Sequence, residues 1–384
     1  MALPATWNNR MLNRPKLLAE INKMATALFV DHSREHNIVI EAWQTLSADE
    51  NFAHKAACAT TPWPLPTWHG NPSLAVAIEQ DTKPHEIFSV DGSQVYPDRH
   101  QGTGCFLINI GEVILRYGTD SAPVIFASTP HLFTGDTQTI DGIEPSPDLI
   151  NALRQQYELE AGYELAKANH RDGVDQLLLF DGSLVFWNLE SKDKRFRDVF
   201  LPRYLATLDK LHAKQIATAS YISLPKSKEL VNLVRLQLCS FDTSRKELYA
   251  AADYVVDSAI ARFFLQPHER SIVFQNNASI SNHYQPDLKP CFFYLHTGDE
   301  IGRVELPAWL TQEDELVDTI ARLVLDQCAK GHGYPVALAE AHEQAVIKGP
   351  DRDFFYLLLQ KIGTNHGRRQ RTSQKSLRKK RMGI

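Results

Sequence analysis

The sequence predicts an α/β protein built on a mixed β-sheet with helices on its faces. Four apolar segments without helical spacing follow one another between residues 86 and 128. Helical and strand-like patterns then alternate over residues 148–240. Two of the strand candidates, one in each part, run into the same Asp-Gly-Ser sequence, at Asp91 and at Asp181. Consecutive strands pair antiparallel and strands separated by helices pair parallel, so one sheet of mixed direction is expected.

The composition is that of an ordinary globular protein. The chain has 384 residues, of which 43% are hydrophobic and 23% charged, enough for one large domain or two ordinary ones. No apolar run approaches the length that crosses a bilayer, so no membrane partner is expected, and the N-terminus lacks the apolar core of a signal peptide. Five scattered cysteines without a C-x-x-C pair indicate reduced thiols and a cytoplasmic protein rather than a zinc site.

Residues 1–75 are predicted to form a helical arm and a connector. Apolar spacing suits a helix over residues 10–33, and residues 35–60 continue in the same way. The Pro/Trp-rich segment TPWPLPTWHGNPS, residues 61–73, cannot be regular structure. It is either the boundary between arm and core or a packed loop that buries Trp63 and Trp68.

An antiparallel meander is predicted next. Its strand candidates are residues 86–91, 103–110, 112–118 and 123–128. The first runs into Asp91-Gly92-Ser93-Gln94, which we interpret as a polar tight turn that leaves Asp91 at the end of a buried strand. A hairpin turn around Gly111 is expected to join the second and third strands.

Helices and strands alternate after the meander. Ser146-Pro147 is a helix-start signal, and the elements that follow are a helix over 148–169, a strand over 176–182, a helix over 195–213, a strand over 216–223 and a helix over 226–240. This order of elements is the layout of the ribonuclease H-like fold, in which acidic residues meet at adjacent strand ends.

The C-terminal part is predicted less completely. Residues 242–287 show no clear pattern, whereas residues 291–310 read as a hairpin with its turn at Thr297–Glu300. Helices are expected over 312–330, from Tyr334-Pro335 to residue 347, and over 350–362. Residues 364–384 form a basic tail with eight Lys and Arg from Arg368 onward and no acid. Such a tail either binds a polyanion or is a solvated terminus.

The two aspartates predict a two-metal site for phosphoryl transfer. Such sites use several carboxylates to hold divalent cations roughly 3.5–4 Å apart. The helix before Asp181 offers Glu158, Glu160 and Glu164. Glu160 and Glu164 share a helix face, and Glu158 lies about 200° around the helix from Glu160. A solvated row of glutamates is the alternative interpretation.

Tyr334 and His342 lie roughly two helical turns apart near the C-terminus. A neutral imidazole can ligate Mn²⁺, and a Tyr hydroxyl can hold a phosphate. Taken alone, a histidine such as His342 is more often a core residue with its hydrogen bonds satisfied. Oxygen ligands with one imidazole suit Mn²⁺ or Mg²⁺ better than zinc.

Four segments in this order, IFSVDGSQ, LLLFDGSL, GRVELPAWL and GYPVALAEAHEQAVI, resemble the NurA family of DNA-repair nucleases. The segment YISLPKSKELVNLVR is also similar to that family, and the resemblance runs from about residue 85 to about residue 360. It implies a NurA-like nuclease domain over residues 76–363 with a ribonuclease H-like core, and a ring-like homodimer. It also implies a Mn²⁺-dependent nuclease that cuts single-stranded DNA and resects DNA ends from 5′ to 3′ in double-strand break repair. The implied partner is a HerA-type hexameric ATPase.

The resemblance implies roles for individual residues. Asp91 and Asp181 match the first and second metal-binding aspartates, with Asp91 bridging two Mn²⁺ or Mg²⁺ ions. The family's helix glutamate falls at Glu160 or Glu164, and Tyr334 and His342 match the C-terminal Tyr and His of the catalytic set. His342 would complete one metal shell.

DNA contacts are expected from charge and shape rather than from base reading. The candidates beside the first Asp-Gly-Ser are Ser93 and Arg99, and further phosphate contacts are expected from Arg154, Arg262 and Arg303. The tail adds Arg368, Arg369, Arg371, Lys379, Lys380 and Arg381.

Two other functions remain open at the level of sequence. A phosphotransferase or ATPase on the same fold would also use strand-end Asp and Gly, but it needs further Gly-rich phosphate loops, and none stands out among the 19 glycines. A non-catalytic DNA-binding adaptor or clamp of a DNA translocase would need no intact acidic set.

Overall fold

The computed structural model describes residues 12–81, 83–97, 104–118 and 123–366. The strands are β1 (Ala75–Ala77), β2 (His85–Val95), β3 (Phe106–Tyr117), β4 (Ile125–Phe133), β5 (Asp175–Asp181), β6 (Thr218–Ile222), β7 (Glu269–Ser271), β8 (Phe274–Gln275), β9 (Pro290–His296) and β10 (Ile301–Pro307). They form one ten-stranded sheet in the spatial order β1-β7-β9-β10-β6-β5-β2-β3-β4, with β8 paired to β9.

Helices surround this sheet. They are α1 (Arg14–Leu28), α2 (Ser33–Ala48), α3 (Phe52–Ala57), α4 (Pro147–Ala168), α5 (Lys194–Ala213), α6 (Glu229–Leu238), α7 (Asp257–Phe264), α8 (Asp314–Lys330), α9 (Val336–Ala345) and α10 (Gly349–Asn365). Helix α4 starts where the sequence predicts, because the Ser146 hydroxyl accepts a hydrogen bond from the Leu149 amide at 3.1 Å and Pro147 occupies the first turn. Across the described parts of the chain, no helix combines the length and the apolar character that a membrane span requires.

The centre of the sheet is the predicted ribonuclease H-like core. Strands β2, β3 and β4 form an antiparallel meander, and β5 and β6 continue the sheet parallel to β2. Helix α4 connects β4 to β5, and α5 connects β5 to β6. The predicted fold class, a mixed sheet flanked by helices, is therefore confirmed.

The hairpin turn predicted at Gly111 is wrong, because β3 runs through this position without a break. Gly111 pairs with Asp91 in the middle of the β2–β3 ladder. A Cβ atom at Gly111 would lie 2.5 Å from the carbonyl oxygen of Ala341 and 2.5 Å from the amide nitrogen of Ala345. The glycine is therefore explained by the close approach of α9 to the sheet, not by a turn.

The tight turn predicted at Asp91-Gly92-Ser93-Gln94 is also wrong. Strand β2 continues to Val95, which pairs with Leu107 of β3. Asp91 consequently lies inside a long strand. Its parallel neighbour β5 does end at Asp181, and Gly182 follows with a φ of +88°, a conformation that favours glycine.

The second half of the sheet comes from the C-terminal part of the chain. Strands β9 and β10 form the predicted hairpin, and β10 pairs antiparallel with β6. The residues without a clear pattern, 242–287, supply α7, the short strands β7 and β8, and several single helical turns. These short pieces extend the sheet beyond the ribonuclease H-like core.

The N-terminal helices differ in how they pack. Helix α1 buries no residue, whereas Trp43 and Leu46 of α2 are fully buried. They share a core with α3, α6 and α7, to which Trp68 of the Pro/Trp-rich connector also belongs. The connector therefore packs as a loop against this second core.

Candidate metal centre

Asp91 and Asp181 lie side by side at the point where β5 ends. The parallel register pairs Val90 of β2 with Phe180 of β5, so each aspartate is the next residue on its strand. Successive side chains of a strand point to opposite faces, and equivalent positions on paired strands point to the same face. Both carboxylates therefore face the same side of the sheet, at its open end.

Helix α9 covers this face and brings His342 to Asp91. His342 Nδ1 lies 2.9 Å from Asp91 Oδ2, and the amide of Gly92 donates to Asp91 Oδ1 at 2.7 Å. The end of α9 is fixed by β2 and β3, because Ser93 Oγ and Asn109 Nδ2 both donate to the carbonyl of Ala345. The imidazole is 63% exposed, which leaves its Nε2 side open to solvent.

Tyr334 stands beside the second aspartate. Its hydroxyl hydrogen-bonds to the Asp181 carboxylate, and its ring lies edge-on to Tyr221 with 5.9 Å between ring centroids. Tyr334 immediately precedes Pro335, which caps the N-terminus of α9. One short helix and its lead-in residue thus carry both predicted C-terminal site residues, one to each aspartate.

The helix glutamate that reaches the aspartates is Glu158. Position 92 has no side chain, and a Cβ there would lie 2.6 Å from Glu158 Oε1. Glu158 therefore approaches past Gly92, from the face of the sheet opposite to α9. Arg154, one turn earlier on α4, holds it with an ion pair and also donates to the carbonyl of Gly92 at 3.1 Å.

The expectation that Glu160 or Glu164 faces the aspartates is wrong. Glu160 accepts a hydrogen bond from Gln156, and Glu164 is 63% exposed and paired with Lys167. Both lie on parts of α4 turned away from Glu158, because two residues advance about 200° and six residues about 240° (after one full turn) around a helix. Two sequence signals point to Glu158: the pairing of Arg154 four residues earlier, and the glycine that follows Asp91.

The carboxylates of this cluster repel one another. Burial raises the pKa of Glu158 to about 8, and repulsion from Asp91 and Asp181 adds to this against the opposing charge of Arg154. Asp181 opens to solvent at the rim, yet the protein around it desolvates the carboxylate enough to raise its pKa. Nearby Asp91 adds to that rise, while the hydrogen bond from Tyr334 opposes it. Burial and the neighbouring Asp181 raise the pKa of Tyr334 above its usual range.

This donor set fits a hard divalent cation. Three carboxylates that repel one another, with one imidazole at their edge, offer the oxygen-rich ligation that Mn²⁺ and Mg²⁺ prefer. Among the described residues, no three His, Cys, Asp or Glu side chains already stand close enough together to hold an ion. In the structure Glu158 is paired with Arg154, Asp91 with His342 and Asp181 with Tyr334.

The predicted DNA-contact residues have varied positions. Ser93 is occupied by its bond to α9, and Arg262 lies 3.5 Å from the carbonyl of Asp299 at the surface. Arg303 is wrong as a phosphate contact, because it is 2% exposed and paired with Glu229 and Glu305. Seven candidates lie outside the described residues, namely Arg99, Arg368, Arg369, Arg371, Lys379, Lys380 and Arg381.

The fold and the site define a ribonuclease H-like α/β protein with an acidic cluster at the carboxyl ends of its central parallel strands. Comparison with models of known protein families identifies one family within this class. The model of the NurA domain matches residues 85–347, more than half of the chain, and the matched segment contains Asp91, Glu158, Asp181, Tyr334 and His342. The chain belongs to the NurA family.

Solved structures with a similar chain course include two of NurA. A crystal structure of NurA is 11% identical and covers 90% of this chain and 96% of its own, with a TM-score of 0.40. A crystal structure of NurA with manganese is 12% identical, covering 80% and 93%, with a TM-score of 0.31. The A. aeolicus Argonaute is 7% identical and covers 71% of this chain and 29% of its own, with a TM-score of 0.31. No curated protein matches the chain in sequence.

Proposed function

We propose that this protein is a metal-dependent DNA nuclease that hydrolyses phosphodiester bonds at the Asp91–Asp181–Glu158 cluster. The observation that supports the proposal most strongly is the convergence of these three carboxylates with His342 and Tyr334 in a member of the NurA family. NurA has been crystallised with manganese, and membership of the same family supports Mn²⁺ as the cofactor here, with Mg²⁺ as the alternative.

Each residue of the cluster has a distinct proposed task. Asp91, together with Asp181 on the neighbouring strand and Glu158 on α4, would hold the divalent cations. Bound divalent cations lower the pKa of an attacking water and stabilise the leaving oxygen. His342 orients Asp91 and can exchange a proton at Nε2, while Tyr334 orients Asp181. Arg154, which is paired with Glu158, is the candidate contact for a DNA phosphate at this cluster.

The biological role that we propose is that of the family the sequence resembles. It comprises cleavage of single-stranded DNA and 5′-to-3′ resection of DNA ends during double-strand break repair, by a homodimer that works with a HerA-type hexameric ATPase. A second subunit or an ATPase partner would bind to exposed apolar surface, and α1 and α10 each carry a row of exposed apolar side chains. These rows consist of Leu17, Leu18, Ile21, Met24 and Leu28 on α1 and of Phe354, Leu357, Leu358 and Ile362 on α10.

Cleavage of end-labelled single-stranded DNA tests the proposal. We expect cutting with Mn²⁺, none in EDTA, and a loss of at least about 100-fold in Asp91→Asn and in Asp181→Asn. Asp172→Asn is the matched control, because that carboxylate is fully exposed and should leave the rate unchanged. Binding of DNA without cutting, with or without the ATPase, would favour the adaptor. Failure to bind DNA, together with turnover of a nucleoside triphosphate, would favour the phosphotransferase.

A further inference from the structure

A cavity of about 520 Å³ lies next to the chain segment that follows Asp181. Gly182 and Ser183, the two residues that follow the aspartate, form its near wall. The far wall is the loop between β6 and α6, and the floor is reached by side chains of α6 and β10. The cavity has the volume of a small-molecule site, and it lies against the two residues that follow Asp181 in the chain.

The mouth of this cavity carries an oriented aromatic ring. Trp187 is 40% exposed, which is unusual for a tryptophan with a fixed position. Its indole Nε1 donates to Ser183 Oγ at 3.0 Å, and Ser183 Oγ in turn donates to Glu305 Oε2 at 2.6 Å. The ring is therefore tied to the Asp-Gly-Ser turn that presents Asp181.

The polar floor of the cavity is already satisfied by its own hydrogen bonds. Arg303 is paired with Glu229 and Glu305. Asn232 Nδ2 donates to the carbonyl of Pro64, and Asn276 Nδ2 donates to Glu229. A ligand in the cavity thus finds few free donors or acceptors, and recognition rests on shape and on the aromatic ring.

The rim offers one free cation. Lys226 is exposed and has no hydrogen bond or ion pair with any residue that the structure describes, whereas Lys228 Nζ donates to the carbonyl of Asp253. Pro64, Ile222 and Pro225 also line the cavity and supply apolar atoms. An aromatic platform, an apolar slot and a cation at its edge together match one nucleotide of a single strand, with its base in the slot and its phosphate at the rim.

We infer that this cavity binds the unpaired base next to the scissile phosphate, that Trp187 stacks on the base, and that Lys226 contacts its phosphate. The inference rests on the proposed nuclease function and names a subsite for it. Because the side chains of Arg303, Asn232 and Asn276 in the floor are already paired, the subsite accepts any of the four bases but requires that the base be unstacked from its neighbours. Single-stranded DNA is consequently preferred over a paired duplex at this position.

Fluorescence anisotropy of DNA binding in EDTA tests the inference. The two probes are fluorescent 12-mers with the same number of phosphates, one made of thymidine nucleotides and one of abasic nucleotides. Wild-type protein should prefer the thymidine strand, and Trp187→Leu should weaken its binding by roughly tenfold or more and abolish the preference. Trp187→Phe should keep most of the preference, because it keeps an aromatic face. Phe126→Leu on β4, another exposed aromatic residue, should change nothing.

A second pair of variants tests the cation. Lys226→Ala should reduce the dependence of binding on salt by about one phosphate contact, for both 12-mers alike. Lys214→Ala, which changes an exposed lysine that precedes β6 at the other end of that strand, is the control.

Three results would overturn the inference. An unchanged base preference in a folded Trp187→Leu protein that still cuts DNA would remove the subsite and leave the nuclease in place. Equal losses in Trp187→Leu and Trp187→Phe, with a lowered melting temperature in both, would assign Trp187 a packing role. Absence of both binding and cutting in wild-type protein would overturn the nuclease and the subsite together.

Discussion

Three carboxylates lie at one end of the sheet, those of Asp91, Asp181 and Glu158. Each carboxylate is paired with a different side chain. His342, Tyr334 and Arg154 are these partners. The aspartates could be predicted from sequence, because an apolar strand followed by Asp-Gly is a local pattern. Helical periodicity alone did not separate Glu158 from Glu160 and Glu164, because buried residues lie on several sides of α4. Arg154 four residues before Glu158, and the glycine after Asp91, are the sequence signals that distinguish it.

Asp326 shows the opposite electrostatic situation, far from this cluster. It accepts hydrogen bonds from His85 at 3.0 Å and from Lys330. Burial works to raise the pKa of Asp326, but the two hydrogen bonds and the charges of their donors outweigh it and hold the pKa at about 2, below the ordinary 3.8. A carboxyl whose pKa is lowered by folding stabilises the protein above its unfolded pKa, and this stabilisation is lost as the pH falls towards the folded value.

We therefore expect Asp326→Asn to lower the free energy of unfolding by about 2 kcal/mol at pH 7. The difference from wild type should shrink between about pH 4 and pH 2. Urea denaturation at a series of pH values measures it. Asp172→Asn removes an exposed carboxylate and should leave the free energy of unfolding almost unchanged at every pH in the series. A constant difference down to pH 2 would mean that the hydrogen-bond geometry, not the charge, stabilises this region.

At the scale of elements, α9 is the piece that completes the site. It crosses β2 and β3 where Gly111 permits contact between backbones. The sequence predicted most helices and strands, including the start of α4 and the β9–β10 hairpin, because capping residues and apolar periodicity are local signals. It misassigned Gly111 to a turn, because glycine favours turns and close packing alike, and the helix that it contacts is more than 200 residues away in the chain.

Replacing Gly111 tests this packing. In Gly111→Ala the new Cβ would lie 2.5 Å from backbone atoms of α9, so the helix must move and carry His342 away from Asp91. We expect a lower melting temperature and a loss of roughly 100-fold in DNA cleavage, since small displacements at a reacting centre cost about that much. Circular dichroism and the cleavage assay measure the two effects.

Gly349→Ala is the control for this change, because no atom lies within 4 Å of a Cβ at that position. It should leave both the melting temperature and cleavage near their wild-type values. Wild-type cleavage in Gly111→Ala would show that the position of α9 is not critical for the reaction.

At the scale of the whole molecule, two hydrophobic cores pack against the sheet. One surrounds the ribonuclease H-like strands, and the other joins α2, α3 and the connector to α6, α7 and strands β8 and β9. Neither the packing of α2 nor the short elements within residues 242–287 could be predicted, because both depend on contacts between distant parts of the chain rather than on local periodicity. The helical character of the N-terminal residues was predicted, and their place in a core was not.

Because α2 belongs to the second core and α1 does not, we expect substitutions in the two helices to change the free energy of unfolding by different amounts. Trp43 is fully buried and stacks on Phe264 of α7, with 5.9 Å between ring centroids. Trp43→Ala should lower the free energy of unfolding by about 3–5 kcal/mol because it leaves a large cavity. Leu18→Ala on α1 removes a side chain that is 54% exposed and should cost less than about 0.5 kcal/mol. Equal effects of the two changes in urea denaturation would mean that α2 does not belong to the core.

The most direct test of the central claim is the binding of Mn²⁺ itself, followed by electron paramagnetic resonance of the free ion. Wild-type protein is compared with Glu158→Gln, Glu160→Gln and Glu164→Gln, three identical changes on one helix. We predict that Glu158→Gln weakens binding by at least about tenfold, because this carboxylate interacts electrostatically with Asp91 and Asp181. The other two variants should bind as wild type does. Normal Mn²⁺ binding by Glu158→Gln, with a loss in Glu160→Gln or Glu164→Gln, would contradict a metal centre built on Asp91, Asp181 and Glu158.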